Sequence, residues 1–194
     1  MPTEEQLQEI HRLAVLGHVA AIAQDVGPRL TGPWLATSRF REVREVSLQT
    51  LALGPHARTL VDLARAKRRL GEVQDALAHY RTALHLYTTV GDRAGLAATL
   101  SNLGLVYDGL GDRQQALTYY QKALPITEEV GDRVGESVTW YNLAMIYRVQ
   151  GQFAEAVAAL RQVVALDQQV QHPDLESDQA MLHQVEQEWR ESLQ

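Results

Sequence analysis

Residues able to do chemistry are present in this chain, but not at spacings that assemble a reaction centre. Seven histidines stand at positions 11, 18, 56, 79, 85, 172 and 183, with no pair four residues apart to hold a metal from one helix face. His79 and His85 are six apart and fall on different faces of a helix. Glu128 and Glu129 adjoin beside a turn, where a solvated face explains them better than a general acid–base pair. No Gly-Lys dipeptide occurs, so a phosphate loop is excluded, and the G-x-G-x-x-G, G-x-S-x-G and H-E-x-x-H patterns are absent. The chain has no cysteine, which excludes disulfides and thiolate metal sites. The expectation is a protein that is not an enzyme and that carries neither cofactor nor metal.

Charge offers binding chemistry instead. Arg65-Ala66-Lys67-Arg68-Arg69 is the one basic cluster. It reads either as a solvated helix end that favours the C-terminal dipole or as a patch for an acidic partner segment. Net charge is −6; residues 1–85 carry 11 Lys+Arg against 9 Asp+Glu, and residues 86–194 carry 7 against 15. A chain acidic overall lacks the basic footprint that nucleic acid requires. No apolar run approaches the roughly 18–20 residues that span a bilayer. The opening MPTEEQLQEI is acidic and amphipathic, unlike a secretory or mitochondrial address, so a cytoplasmic protein that binds neither membrane nor nucleic acid is expected.

The elements that position these residues repeat every 40 residues. Blocks 51–90, 91–130 and 131–170 share Leu63/Leu103/Leu143, Gly71/Gly111/Gly151, Ala76/Ala116/Ala156 and Val90/Val130/Val170. Each block reads as two helices. In the middle one, Asp92 caps a helix from about Arg93 to Leu110, whose Leu96, Leu100, Leu103, Val106, Tyr107 and Leu110 recur at steps of three and four. Gly111 ends it, and a second helix runs from Arg113 to Val130 with Ala116, Leu117, Tyr120, Ala123 and Leu124 inward. One such pair cannot bury its apolar stripe alone; stacked pairs can. Pro125 inside the second helix predicts a bend there.

This pattern resembles the tetratricopeptide repeat, W-x2-L-G-x2-Y, then G, then A-x3-F-x2-A. The columns hold Leu100, Leu103, Gly104, Tyr107, Gly111, Ala116, Tyr120 and Ala123 in the middle block. In the last they hold Trp140, Leu143, Ala144, Tyr147, Gly151, Ala156, Leu160 and Val163; in the first, Lys67 replaces the aromatic. The long 40-residue form resembles kinesin light chains and the repeats of bacterial STAND NTPases and regulators. Ser38 to Val43 line up with Gly151 to Ala156, placing Trp34 in the aromatic column of a decayed repeat. Gly27-Pro28 and Gly32-Pro33 predict a kink or break in its first helix. The resemblance implies an all-α solenoid of antiparallel helix pairs in a right-handed superhelix, one array over the whole chain. Its parts are an N-terminal helix (1–17), a degenerate repeat (18–53), three repeats (54–90, 91–130, 131–170) and a capping helix (173–193) that opens on Pro173.

By resemblance, the first helix of each pair lines a concave peptide-binding groove. Carried over by position, this places Arg58, Asp62, Arg65 and Arg69, then Ser101, Asn102 and Leu105, then Tyr141, Asn142, Met145 and Arg148 in the groove. Asn102 and Asn142 share one column; amides there suit gripping a peptide backbone, or are polar residues on an exposed face. The Lys/Asn/Lys/Arg carboxylate clamp of chaperone adaptors is not matched, since the same columns hold Arg58, Val61, Asp62 and Arg65, then Ala98, Ser101, Asn102 and Leu105. The expected function is a protein–protein interaction scaffold, in the sensor module of a larger bacterial signalling protein of the STAND type. The alternatives are self-assembly through a basic and an acidic half, and a receptor for a small molecule or peptide pheromone with a pocket around Tyr141 and Met145.

Overall fold

A computed structural model describes residues 2–194 of the chain. The described residues form ten α-helices and no strand: α1 (Glu4–Leu16), α2 (Ala20–Ala36), α3 (Phe40–Leu51), α4 (Ala57–Arg69), α5 (Val73–Val90), α6 (Arg93–Gly109), α7 (Arg113–Val130), α8 (Arg133–Val149), α9 (Phe153–Val170) and α10 (Leu175–Ser192). They divide into two compact units that meet in sequence at Gly95 and Leu96.

In the first unit each helix packs on the next from α1 to α5, and α2 also packs against α4. That contact between the first helices of successive pairs is the stacking a helix-pair solenoid requires. Trp34 is buried with Val26, Leu30 and Val43, and Ser38 holds a left-handed φ of 60° where Gly151 holds 74°. The expected break in α2 does not occur: the helix runs unbroken through Pro28 and Pro33. Each proline removes one backbone donor. Burial of Val26, Leu30 and Trp34 along one face outweighs that loss. His11 of α1 is also buried, its Nε2 2.8 Å from the Thr50 hydroxyl on α3.

The second unit stacks α7 on α8, α8 on α9 and α9 on α10. Asp112 and Asp132 cap α7 and α8, accepting from the backbone N–H of Gln115 at 3.1 Å and Gly135 at 2.9 Å. α7 keeps the expected bounds and is continuous through the exposed Pro125. The cap begins at Leu175, two residues after Pro173, which lies in the preceding turn. A further identical column, Thr59, Thr99 and Thr139, is buried in all three blocks. In the last, the Thr139 hydroxyl donates to the Gly135 carbonyl one turn back, 2.7 Å away.

Gly104 shows why the family column prefers a small residue. A Cβ there would stand 2.6 Å from the Tyr120 ring, below any van der Waals distance. Where the last block has Ala144, it carries Leu160 in the ring's place. The first block combines Ala64 with Tyr80, so a modest displacement can relieve the conflict. Gly104→Ala is therefore expected to cost about 1 kcal/mol as crowding exceeds the gain in helix propensity. In a Tyr120→Leu background the same change is expected to be neutral or stabilising. Urea denaturation around this double-mutant cycle reads the coupling; equal effects in both backgrounds would rule out the ring as the cause.

Candidate binding surface

In the first unit, the groove candidates on α4 have different fates. Asp62 is fully buried and accepts a hydrogen bond from Thr31 Oγ1 of α2 at 2.7 Å, while the exposed Arg58 approaches its other oxygen at 3.5 Å. Burial pushes the Asp62 carboxyl above its ordinary range, and the bond from Thr31 and the charge of Arg58 oppose this. The basic run is divided among local partners. Lys67 lies between Glu72 and Asp75, and the Arg69 guanidinium sits 5.5 Å from the Phe40 ring centroid. Arg65 is exposed.

In the second unit, Ser101 and Thr139 bring their hydroxyls to 3.1 Å and so set α6 beside α8. Asn102 spends an amide proton on the Ala98 carbonyl of its own helix, at 2.8 Å. Leu105, Tyr141, Asn142 and Met145 are half-buried. α10 closes the far end of this face. Arg148 grips Glu188 of α10 with both arms, Nε to Oε2 at 2.8 Å and Nη2 to Oε1, and Tyr141 and Met145 share a cluster with Met181, Leu182 and Trp189. The structure thus gives Arg148 a partner within the chain. It leaves Val138 (48% exposed) and one side of Tyr141 open.

That open side leads into a pocket of about 310 Å³. Ser137, Val138 and Tyr141 of α8, Val163 and Asp167 of α9, His172 and Asp174 of the connection, and Ser177 and Asp178 of α10 line it. Asp167 is 1% exposed; the Ser137 hydroxyl donates to its Oδ1 at 2.6 Å, and its Oδ2 has no hydrogen-bond partner. The Asp178 carboxyl faces it, an arrangement that becomes a hydrogen bond only when the pair holds a proton. Partial burial and the neighbouring Asp167 push Asp178 up to about 6, with Asp174 adding to the rise and His172 opposing it. None of these acids was singled out by sequence reasoning. The signal was available: Asp167 occupies the column that holds Tyr87 and Thr127, a buried column in every block.

This acid pair makes stability depend on pH. Folded Asp178 holds its proton up to about pH 6, whereas the unfolded group releases it near 3.8. Between those values the folded state binds more protons, so this contribution is full below pH 3.8 and is lost as pH rises through 6. Buried His11 and half-buried His56 and His79 are held below their ordinary range by desolvation and act in the opposite direction. Asp178→Asn is accordingly expected to stabilise the protein more at pH 7 than at pH 5, by urea denaturation at both. An equal effect at the two pH values would remove the acid pair as the source.

The model of the tetratricopeptide repeat family matches residues 55–129 and 110–169. No curated protein sequence matches the chain at a significant level. Among solved structures, BtubC (BKLC) from P. vanneervenii superposes with a TM-score of 0.76 at 17% identity, over 95% of this chain and 81% of that one. Aspartyl phosphate phosphatase F from Bacillus subtilis gives 0.74 at 15% identity over 88% of this chain, which spans 49% of the phosphatase. Kinesin-light-chain-type TPR-like repeats from Podosopora anserina give 0.66 at 22% identity, with 86% and 88% covered. At these identities the likeness is one of fold. No described helix is long and apolar enough to cross a membrane.

Proposed function

This chain belongs to the tetratricopeptide repeat family, and we propose that it holds a peptide or protein segment on the first-helix face formed by α6 and α8. Repeats of this family generally serve as non-catalytic scaffolds for protein or peptide partners. One observation supports the α6–α8 face above others. The side-chain amide of Asn142 makes no hydrogen bond among the described residues, and that of Asn102 uses only its donor side, within its own helix. An unspent amide beside the apolar Tyr141 and Val138 suits a backbone that needs both a donor and an acceptor. Work in the cytoplasm as the regulatory module of a STAND-type signalling protein is the finer form of this proposal, and it rests on the resemblance of the long repeats.

The test is selection of peptides on the full chain, followed by calorimetry with Asn142→Ala, Tyr141→Ala and the remote control Thr118→Ala. Loss of about tenfold in affinity in the first two, with the control unchanged, is expected for lost buried hydrogen bonding and aromatic contact. Selected peptides that bind all three variants equally would place the surface elsewhere.

Self-association is the second reading, and one observation favours it. Ile10, Leu13, Leu16, Val19 and Ile22, on α1, at the turn after it and on α2, are each 40–63% exposed, an apolar stripe that a second copy would cover. Light scattering across concentration decides it; a species of 21.7 kDa at every concentration eliminates this reading.

A further inference from the structure

We propose that the pocket bounded by α8, α9 and α10 binds an organic cation, a primary ammonium or a guanidinium group, between Asp167 and Asp178. Asp167 is the central observation: a carboxyl 1% exposed, satisfied on one oxygen by Ser137, with the other oxygen held against the Asp178 carboxyl and offered no cationic or neutral donor by the pocket lining once that acid pair has lost its proton. A buried charge without a counterion is costly, and the native fold tolerates it here by placing it at the wall of an opening. The lining holds three aspartates, no lysine and no arginine; its one basic group, His172, lies 3.9 Å from Asp174 instead. The protein therefore supplies negative charge and leaves the positive charge to come from outside.

The walls narrow the kind of cation. Val138, Val163 and the Tyr141 ring line the same space, which suits an alkyl stem behind the charged head and the face of an aromatic ring beside it. A bare metal ion needs more hard ligands than two carboxylates and an apolar wall. Among the described residues no group of three His, Asp or Glu side chains could hold one. Burial raises the pKa of Asp178 most, and Asp167 and Asp174 add a like-charge crowding that an arriving cation would relieve. Within the peptide reading above, on which this second step rests, the cation is a lysine or arginine side chain of the bound segment, entering beside Val138 and Tyr141. A free small amine would present the same chemistry.

The experiment is an amide NMR titration of the full chain with methylguanidinium and n-butylammonium chlorides. Urea, n-butanol and sodium chloride at matched ionic strength serve as controls. The organic cations are expected to shift amides in 137–141 and 172–178 in a saturable way, and the controls are not. Asp178→Asn, a half-exposed site, is expected to weaken binding about tenfold, as for a lost charge-assisted hydrogen bond. Asp167→Asn, which can still accept the Ser137 bond, is expected to do at least as much. A second arm uses the peptide acetyl-Ala-Ala-Arg-Ala-Ala-amide and its citrulline counterpart. Tighter binding of the arginine peptide than of methylguanidinium assigns the cation to a partner's side chain; binding of the free cation alone assigns it to a small amine, keeps the pocket and removes the peptide step. Sodium chloride shifts equal to those of the organic cations, or undiminished binding by Asp178→Asn, would overturn the proposal. Equal binding of the two peptides with no response to free cations would overturn the cation pocket while sparing the α6–α8 face.

Discussion

Replacing Tyr120 with alanine is expected to cost about 3–5 kcal/mol, the range for deleting a fully buried aromatic ring. The ring is 1% exposed, lies against Gly104 of α6, and belongs to one cluster with Ala116, Leu117, Leu143 and Ile146 from α7 and α8. It is thus shared between two neighbouring repeats, and in a structure where each repeat touches only its neighbours no distant packing can compensate. Since whole domains are stable by only about 5–15 kcal/mol, about a fifth or more of the total is at stake. Chemical denaturation followed by circular dichroism should show a lower midpoint. A loss below about 1 kcal/mol would mean that the cavity collapses or that the ring is not a shared core element.

Pro125→Ala is expected to act in the other direction, raising stability by about 2 kcal/mol. Proline inside a helix is about 3 kcal/mol worse than alanine, and part of that is returned because proline also restricts the unfolded chain. Pro125 is exposed and lies well inside α7, so its ring makes no core contact that alanine would forfeit. The last block places Ala165 in the same column of α9, at an equally exposed position. The same denaturation curve reads the gain. An unchanged or lower midpoint would show that the helix departs from regular geometry at this point in a way that favours proline.

The helix pairs were legible because their boundaries are set by local chemistry. Asp112 and Asp132 cap, Gly111 and Gly151 adopt left-handed φ, and the three-and-four spacing of apolar residues does the rest, so the bounds of α7 follow from sequence directly. Ser38 and Gly151, aligned in sequence, both hold a left-handed φ. The continuity of α2 was not legible. Proline's local penalty is visible in the sequence, but the burial of Val26, Leu30 and Trp34 that overrides it is a tertiary quantity. The groove columns came from the family resemblance and carried no environment: the 40-residue period aligns Asp62 with Asn102 but could not foresee the Thr31 hydroxyl that donates to it. Asp167 was not among the residues that sequence reasoning singled out, although it shares a column with Tyr87 and Thr127 that is buried in every block.

The terminal helix has two roles that cannot be separated. α10 covers the apolar flank of the last repeat, anchored by Arg148 and Glu188, and it also contributes Ser177 and Asp178 to the pocket wall. The pocket therefore exists only in molecules whose last helix is docked. Fraying of that helix and occupancy of the pocket are mutually exclusive states of one equilibrium, so any ligand taken there must slow amide exchange in residues 175–192. By the same linkage, loosening the Arg148–Glu188 clasp must weaken that ligand by the free energy it costs the docked helix.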